Sequence, residues 1–277
     1  MKMRIFFTLA VLVFAAVSPS YGASKPLTVS FVNVGQGSAT FLHQPGKCAM
    51  LVDAGPASQG ESLRKVLQQA GVSKLDYVVI THPHPDHYVG LQIIAGDVQI
   101  KEFSDNGDPG KEGEGYTDYR ELQSDLPYSV LASGDSWQCG DIKIDVLHPP
   151  PAFVGDSEDA NHRSLVLRVS FNTFRMLLMG DVAGLGEEEL LRGTEDLQAM
   201  VMTVAHHGAA DATSDALLAR VKPQLAIISV GRDNSIGAPD AAVLQRLNDH
   251  NVHTFRTDES GTLQIQVQAD GSMRLTM

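Results

Sequence analysis

The segment His82-Pro83-His84-Pro85-Asp86-His87 concentrates imidazole and carboxylate groups in a few residues. It follows the apolar run 75–80, which predicts a buried strand, so the segment is expected at a strand end. In extended chain His82 and His84 point to the same side, because side chains alternate with a period of two residues. Both can therefore reach one cation, and this spacing is typical of metal ligands. The segment predicts a metal centre.

Asp86 and His87 come after the turn and can face a second cation beside the first. Pro83 and Pro85 disfavour helix at the residues before them, which keeps both preceding histidines extended. Two adjacent cations can share one hydroxide, which would be the nucleophile of a hydrolysis. We expect Asp86 to orient this hydroxide and accept its proton. The alternative is a solvated loop whose histidines only titrate.

Two more apolar runs end in groups that bind metals. Gly180-Asp181 follows the run 174–179, and His206-His207-Gly208 follows the run 201–205. One histidine of the pair is expected to bind the second cation, while the other contacts the substrate or protonates the leaving group. The sequence does not decide between them, and we favour His206 as the ligand and His207 as the catalytic group. A turn aspartate and a packing pair of histidines are the alternatives.

The segment 81–87 resembles the signature of the metallo-β-lactamase fold superfamily of metal-dependent hydrolases. Together with other segments, it is similar to the ComEC-type branch over about residues 27–268. The segments are Val29–Gly37, Leu51–Gly55, Thr81–His87, Asn161–Leu167, Gly180-Asp181 and His206–Gly208. The resemblance implies a four-layer αββα fold of two mixed sheets between helices. It also implies that Asp181 is shared by both cations and that Asp53 supports the ligand loop without binding metal.

Many members of this superfamily use an additional histidine between the first motif and the Gly-Asp pair. Here Asn161 and His162 lie in that interval, with His148 as a second choice, and they would complete or support the first cation's ligands. A corner open to water or a purely structural turn is the alternative. The chain departs from the branch at three positions near the expected pocket, which are Asn33, Ala209 and Ala238.

Short strand patterns interleaved with helical patterns predict an α/β protein. We expect one domain over residues 23–277, with halves of about 24–150 and 160–277. Gly-rich and Asp-rich residues 104–115 predict a surface loop near the site, either a mobile lid or a plain solvated loop. Helices are expected at 58–70, 88–94, 185–192, 214–221 and 240–250.

The N-terminus has the pattern of a secretory signal peptide. Basic residues 1–4 precede a continuous apolar stretch, Ile5–Val17, and small residues follow, which favours cleavage after Gly22. The stretch is shorter than the roughly 20 residues of a membrane span. We therefore expect a periplasmic or secreted protein without stable membrane insertion. Cys48 and Cys139 permit one disulfide in such a compartment, or remain free thiols.

The formal charge of −12 disfavours polyanionic partners. For this exported protein, the resemblance to the branch implies hydrolysis of phosphodiester bonds, and the charge favours a small or nucleotide-type phosphoester over nucleic acid. The oligomeric state stays open. Two zinc ions are expected as cofactors, with manganese or iron as alternatives. Hydrolysis of a carboxylic ester, lactone or β-lactam is one alternative, and a metal-binding module with a decayed site is another. Three arginines are candidates for holding an anionic group, namely Arg163, Arg232 and Arg256.

Overall fold

The computed structural model describes residues 25–111, 113–151 and 159–277. The predicted signal peptide, residues 1–22, lies outside these ranges. Among the described residues, none of the helices combines the length and the apolar content that a membrane crossing requires.

The described strands form two large sheets and one short pair. The first sheet contains β1 (Leu27–Phe31), β2 (Thr40–Gln44), β3 (Cys48–Val52), β5 (Tyr77–Val79), β7 (Phe103–Asp105), β8 (Tyr128–Val130), β16 (Leu263–Val267) and β17 (Met273–Thr276), in the order β17-β16-β1-β2-β3-β5-β7-β8. The second contains β9 (Ser136–Cys139), β10 (Ile142–His148), β11 (Val166–Phe171), β12 (Phe174–Leu178), β13 (Val201–Thr203), β14 (Leu225–Ile228) and β15 (His253–Arg256), in the order β15-β14-β13-β12-β11-β10-β9. The short strands β4 (Lys74–Leu75) and β6 (Gln99–Ile100) pair separately.

The helices of the described residues lie outside the two sheets. They are α1 (Gly60–Gln69), α2 (Pro85–Tyr88), α3 (Leu91–Ile94), α4 (Tyr116–Asp125), α5 (Gly184–Arg192), α6 (Asp215–Val221), α7 (Ala241–Asp249) and α8 (Thr257–Ser260). Short 3₁₀ helices cover Ala57–Gln59, Ala160–Arg163 and Ala205–Gly208. Side-chain oxygens cap two of the α-helices: Ser214 accepts from the Leu217 amide at α6, and Asp240 accepts from the Ala242 amide at α7.

Three apolar interfaces hold four layers together. Between the sheets, residues such as Met50 on β3 pack with residues such as Leu167 on β11. Outside the first sheet, Leu51 belongs to a cluster with α1 and α3, and outside the second sheet Met202 belongs to a cluster with α5, α6 and α7. Because neighbouring residues on a strand face opposite sides, strands buried on both faces are apolar throughout. The predicted αββα fold is confirmed.

The two sheets do not correspond to the two halves of the sequence. The C-terminal strand β16 returns to the first sheet and pairs with β1, with Leu27 opposite Val267. The strands β9 and β10 precede residue 150, yet they belong to the second sheet. The halves are therefore interlocked through exchanged strands.

A disulfide between Cys48 and Cys139 joins the two sheets. It links the start of β3 to the end of β9, with the Cα atoms 5.2 Å apart and a sequence separation of 91. Closing a loop of this length stabilises a folded chain by about 4 kcal/mol in the loop-entropy model. The structure thus selects the disulfide over the free thiols.

Sequence patterns missed α4 and β8. In α4 only Tyr119 is buried, and the three residues of β8 are all exposed, so neither segment has the apolar periodicity on which prediction depends. A second difference concerns the helix expected at 88–94, which is two short helices, α2 and α3. As a result, Asp86 and His87 lie on a helical turn that begins at Pro85.

Candidate metal centre

The strand ends of both sheets deliver the predicted groups to one place. The segment 81–87 follows β5, Asp181 follows β12, and the His206-His207 pair follows β13. Two sets of side chains each offer ligand atoms that all lie within 4.8 Å of one another. One set is His82, His87 and Asp181; the other is Asp86, His87 and His207.

His82 and His84 form the first corner of this cluster. The Nε2 atom of His82 lies 2.9 Å from Nδ1 of His84. The Asp181 Oδ2 atom is 3.7 Å from the same His82 nitrogen. The expected extended alternation is not observed: the chain bends at residues 81–83, where the His84 amide donates to the His82 carbonyl at 3.0 Å, and this tight turn brings the two imidazoles together. His84 itself belongs to neither of the two ligand sets.

Asp181 also faces the second corner. Its Oδ2 atom is 3.2 Å from Nε2 of His87 and 3.4 Å from Nε2 of His207. The His207 nitrogen is in turn 3.4 Å from Oδ2 of Asp86. Because one carboxylate oxygen approaches histidines of both corners, Asp181 has the central position that the resemblance implies for a shared ligand.

Several atoms of the cluster are buried without a hydrogen bond within the described ranges. They are Nε2 of His87, Nε2 of His207 and Oδ1 of Asp181. A buried polar atom left without a partner costs about 1–3 kcal/mol, so such groups are normally satisfied. Divalent cations bind imidazole nitrogens and carboxylate oxygens at such positions, and the residues therefore fit a metal.

Asp53 holds the metal-binding segment 81–87 in place through its side-chain oxygens. Its Oδ1 atom accepts from the Thr81 amide at 2.8 Å, and Oδ2 accepts from the Thr81 hydroxyl at 2.9 Å. The same Oδ2 is 2.8 Å from Nδ1 of His87. A proton on Nδ1 leaves Nε2 of His87 free to bind metal, which is the usual role of a carboxylate behind a ligating histidine.

Two supports were not singled out from the sequence. The Ser164 hydroxyl accepts from the Asp181 amide at 2.9 Å and lies 3.3 Å from Nδ1 of His82. The Ser229 carbonyl lies 2.7 Å from Nδ1 of His207. Ser164 belongs to the segment Asn161–Leu167 that carries the family resemblance, which was a usable signal. Ser229 acts through its backbone, so its residue type gave no signal.

The two neighbouring histidines diverge, and the geometry favours His207 over His206 as the metal ligand. Both residues have left-handed backbones, with φ of 50° at His206 and 56° at His207, which turns them to different sides. His207 is buried in the cluster, whereas Nε2 of His206 lies 3.4 Å from Nδ2 of Asn161 and Nδ1 lies 3.7 Å from Oδ1 of Asp211. The sequence favoured His206 as the ligand, whereas the structure places His207 in a ligand set and His206 in neither. A left-handed non-glycine residue costs roughly 1–2 kcal/mol, which the surrounding packing must offset.

The three candidates for an additional ligand of the first cation, Asn161, His162 and His148, lie in different positions. Asn161 is buried at the cleft, and its Oδ1 has no hydrogen-bond partner within the described ranges. His162 lies outside both ligand sets: its Nε2 is 3.6 Å from Oδ2 of Asp159, and the ring packs against Gly184. His148 is also outside both sets, with Nδ1 2.9 Å from the Ser164 carbonyl.

The histidine pKa values divide into two groups. Burial and then the nearby charge of His87 lower the pKa of His82 and of His84, which favours their neutral forms. Burial also acts against charge on His87, but the carboxylates of Asp181 and Asp53 raise its pKa well above the usual value. For His207, burial is likewise outweighed by Asp181 and Asp86, and its pKa is raised to about 10.

The carboxylates show the complementary shift. Burial would raise the pKa of Asp86 and of Asp181, but the facing histidines hold both pKa values well below the usual range. The second corner is thus built around fixed negative charge that requires positive charge beside it. Protons on His87 and His207 supply that charge in the metal-free protein.

The turn 35–37 closes one side of the site. The Ser38 amide donates to the Asp86 carbonyl at 3.2 Å, and a Cβ atom at Gly37 would overlap that carbonyl oxygen. The Asn33 Oδ1 atom accepts from the Gly35 amide at 3.2 Å, a bond that the aspartate usual in the branch would also make. This departure from the branch therefore leaves the turn intact.

Polar contacts to Arg163 and within the loop itself hold the predicted surface loop 104–115, which follows β7. Asp108 is buried and pairs with Arg163, while Nδ2 of Asn106 donates to the Arg163 carbonyl at 2.8 Å. The Gly110 amide donates to Oδ1 of Asp108 at 2.9 Å. These bonds tie the loop to the 3₁₀ helix that carries Asn161.

A cleft of about 590 Å³ opens over the cluster. Its walls include Gln36, Pro56, Glu114, Asn161, His206 and Ile236, and its floor includes His84, Asp86, Asp181 and His207. This volume lies within the range of small-molecule sites. The geometry therefore combines a buried set of metal ligands with access for a compact substrate.

Comparisons with known proteins agree with this architecture. The family model described as Metallo-beta-lactamase superfamily matches residues 32–232. The chain is 28% identical over 256 residues to ComE operon protein 3 of Bacillus subtilis (strain 168), which covers 85% of this chain and 32% of that protein. The chain spans about a third of the length of the curated relatives it matches.

Solved structures share the fold at low sequence identity. The metallo-beta-lactamase fold protein YhfI from Bacillus subtilis has a TM-score of 0.54 and 11% identity, covering 91% of this chain and 100% of that chain. A diphosphatase from the PhnP family has a TM-score of 0.52 and 12% identity, covering 88% of this chain and 99% of that chain. Since the family model spans most of the chain, this protein belongs to the metallo-β-lactamase superfamily, and it is ComEC-like in its similarity to ComE operon protein 3 and to Competence protein ComA of Neisseria gonorrhoeae.

Proposed function

We propose that the protein is a phosphodiesterase that uses two divalent cations. His82, His84 and Asp181 would hold the first, and Asp86, His87 and His207 would hold the second together with Asp181. The observation that carries the proposal is the set of buried ligand atoms of His87, His207 and Asp181 that lack hydrogen bonds within the described ranges. Imidazole and carboxylate donors favour zinc, while manganese or iron also accept such a set.

Bound cations would lower the pKa of water and polarise the oxygens of the scissile phosphate. The chain's own groups then have distinct tasks. Asp86 is at the cleft floor, where its carboxylate would orient the attacking water and accept its proton. His206 faces the cleft beside Asn161, where its Nε2 would hydrogen-bond a substrate oxygen.

Phosphodiester chemistry is the favoured reaction because of the relatives. The curated relatives include competence proteins, and a diphosphatase shares the fold. The disulfide supports action in an oxidising compartment such as the periplasm or the exterior, in line with the signal-peptide pattern.

The direct test compares two substrates on purified, metal-loaded protein. We expect hydrolysis of bis(p-nitrophenyl) phosphate, loss of this activity with a chelator, and recovery when a divalent cation is added back. A chromogenic cephalosporin serves as the parallel substrate for carboxylic-type hydrolysis. Turnover of the cephalosporin alone, or diester turnover that is indifferent to chelation, would refute the proposal.

The matched variants are Asp86→Ala and Asp215→Ala. Asp215 is an exposed aspartate whose Oδ1 lies 3.1 Å from Nε2 of His250, so its loss should leave the activity unchanged. A wild-type rate in Asp86→Ala would remove Asp86 from the mechanism.

A further inference from the structure

We propose that the cleft selects diesters whose only negative charge is the scissile phosphate, with uncharged groups on both sides. A nucleic-acid strand or a multiply phosphorylated ester would then be a poor substrate. The inference rests on the proposed phosphodiesterase function and specifies its substrate class.

The lining of the cleft is the first argument. The described residues that line it include carboxylates, amides, hydroxyls and apolar groups, but neither lysine nor arginine. The internal residues outside the described ranges, 112 and 152–158, contain neither residue type in the sequence. Among the described residues that line the cleft, positive charge is therefore confined to protonated histidine and to any cations that the metal ligands hold.

The nearby arginines are engaged elsewhere. Arg163 pairs with the buried Asp108, and Nη2 of Arg256 is 2.7 Å from Oδ2 of Asp258. Nη2 of Arg232 donates to the Asp258 carbonyl at 3.0 Å. None of the three lines the cleft. The sequence had made them candidates for holding an anion, and the structure pairs Arg163 and Arg256 with carboxylates, while Arg232 donates to a backbone carbonyl.

The charge of the rim is the second argument. Glu114 is an exposed carboxylate at the cleft wall, and the chain carries a formal charge of −12. Proteins bind nucleic-acid strands largely by neutralising successive phosphates with lysine and arginine. A second phosphate beside the scissile one would instead meet the Glu114 carboxylate without a compensating cation, and like charges at short range repel.

The remaining wall suits uncharged substituents. Pro56 contributes apolar surface, and Ile236 is 52% exposed at the same cleft. Gln36 and Asn161 add amide groups that can hydrogen-bond a neutral substituent. The described walls therefore have complementary groups for neutral parts of a substrate but no lysine or arginine to neutralise a second anion.

The test uses two substrates that differ only in charge away from the reacting bond. One is the p-nitrophenyl ester of thymidine 5′-phosphate, and the other is the same compound with an additional phosphate on its 3′ oxygen. We expect the additional phosphate to lower kcat/KM by about tenfold or more, and added salt to narrow this difference. A short single-stranded thymidine oligonucleotide that carries the same p-nitrophenyl ester on a 5′ phosphate should release p-nitrophenol more slowly than the singly charged ester.

Two pairs of variants locate the effect in the cleft. Ile236→Lys should raise kcat/KM for the 3′-phosphorylated substrate by several fold more than for the singly charged one, with Ile236→Gln as the matched control. Glu114→Gln should reduce the ratio of kcat/KM for the singly charged substrate to kcat/KM for the 3′-phosphorylated one. Glu121→Gln, which removes an exposed carboxylate from α4, should leave this ratio unchanged. If Ile236→Lys and Glu114→Gln leave the ratio unchanged, the rim does not select by charge and the inference fails.

The outcomes separate this inference from the function on which it rests. Equal or faster turnover of the 3′-phosphorylated ester, or of the oligonucleotide, would overturn the inference while the phosphodiesterase proposal stands. Absence of turnover on every diester by protein that holds two equivalents of metal would overturn both.

Discussion

The loop after β5 and the loop after β13 contribute histidines to the same cluster by different means. In the first, backbone angles are ordinary, and His84 is extended with φ of −95° and ψ of 143°. In the second, His206 and His207 are both left-handed, and the chain reverses the direction of its side chains within one residue. A tight turn, in which the His84 amide donates to the His82 carbonyl, therefore directs the first set, whereas left-handed residues direct the second.

The supports of the two loops differ in the same way. His87 is held by the side chain of Asp53, and its Nδ1 is 2.8 Å from that carboxylate. His207 is held by the backbone carbonyl of Ser229 at 2.7 Å. A carboxylate adds charge and can be removed by mutation, whereas a carbonyl provides orientation whatever the side chain is. The first loop should thus be more sensitive to substitution of its support.

Asp181 is where the loops meet, so its substitution has the largest expected effect. We expect Asp181→Ala to lose both cations and about a thousandfold or more in diester kcat/KM, because one carboxylate serves both corners. Elemental analysis of the purified variant, together with the phosphodiesterase assay, measures both losses. Asp215→Ala is the control, and two equivalents of metal retained in Asp181→Ala would show that this carboxylate is not shared.

The second loop is tested by separating its histidines. We expect His207→Ala to retain at most one equivalent of metal, because Nε2 of His207 faces Asp86 and Asp181. His206→Ala should retain both equivalents and lose about 10- to 100-fold in kcat/KM, the scale of one substrate hydrogen bond. Metal counting distinguishes the two variants without any substrate. Loss of metal in His206→Ala alone would restore the assignment that the sequence favoured.

This contrast explains how much of the site could be predicted. The His-x-His spacing and the strand before it are local properties, so the sequence sufficed to place the first corner at a strand end, although the tight turn between the two histidines was not predicted. The strands were predictable from apolar runs, and their four-layer arrangement from the family resemblance. Which of His206 and His207 faces the cluster depends on the left-handed backbone of these two residues. Neither is glycine, so the residue types did not predict the turn. The roles of Ser164 and Ser229 depended on contacts between distant segments, which periodicity cannot supply.

Substitution of Asp53 sharpens the comparison of the supports. In Asp53→Asn the amide can still accept from Thr81, but its Nδ2 would donate to Nδ1 of His87. The proton of the neutral imidazole would then sit on Nε2, the atom that faces Asp181. We expect affinity for the second cation to fall about 10- to 100-fold, as measured by competition with a chromogenic chelator.

Asp76→Asn is the matched control, because Oδ2 of Asp76 accepts from the Ala49 amide at 3.1 Å in the same sheet without touching the cluster. Unchanged metal affinity in Asp53→Asn would mean that Asp53 supports only the backbone of the loop through Thr81. Equal losses in both variants would indicate a general effect on the sheet.

The smallest expected effect is a dependence of stability on pH in the metal-free protein. The carboxylates raise the pKa of His207 to about 10 in the folded chain, while an unfolded histidine titrates near 6.5. A raised folded pKa contributes stability that is complete below about pH 6.5 and is lost as pH rises through about 10. The free energy of unfolding, measured by urea titration with a chelator present, should therefore fall between about pH 7 and pH 10. His207→Gln should remove this part of the slope, and an identical slope in variant and wild type would show that no proton on His207 balances the carboxylates.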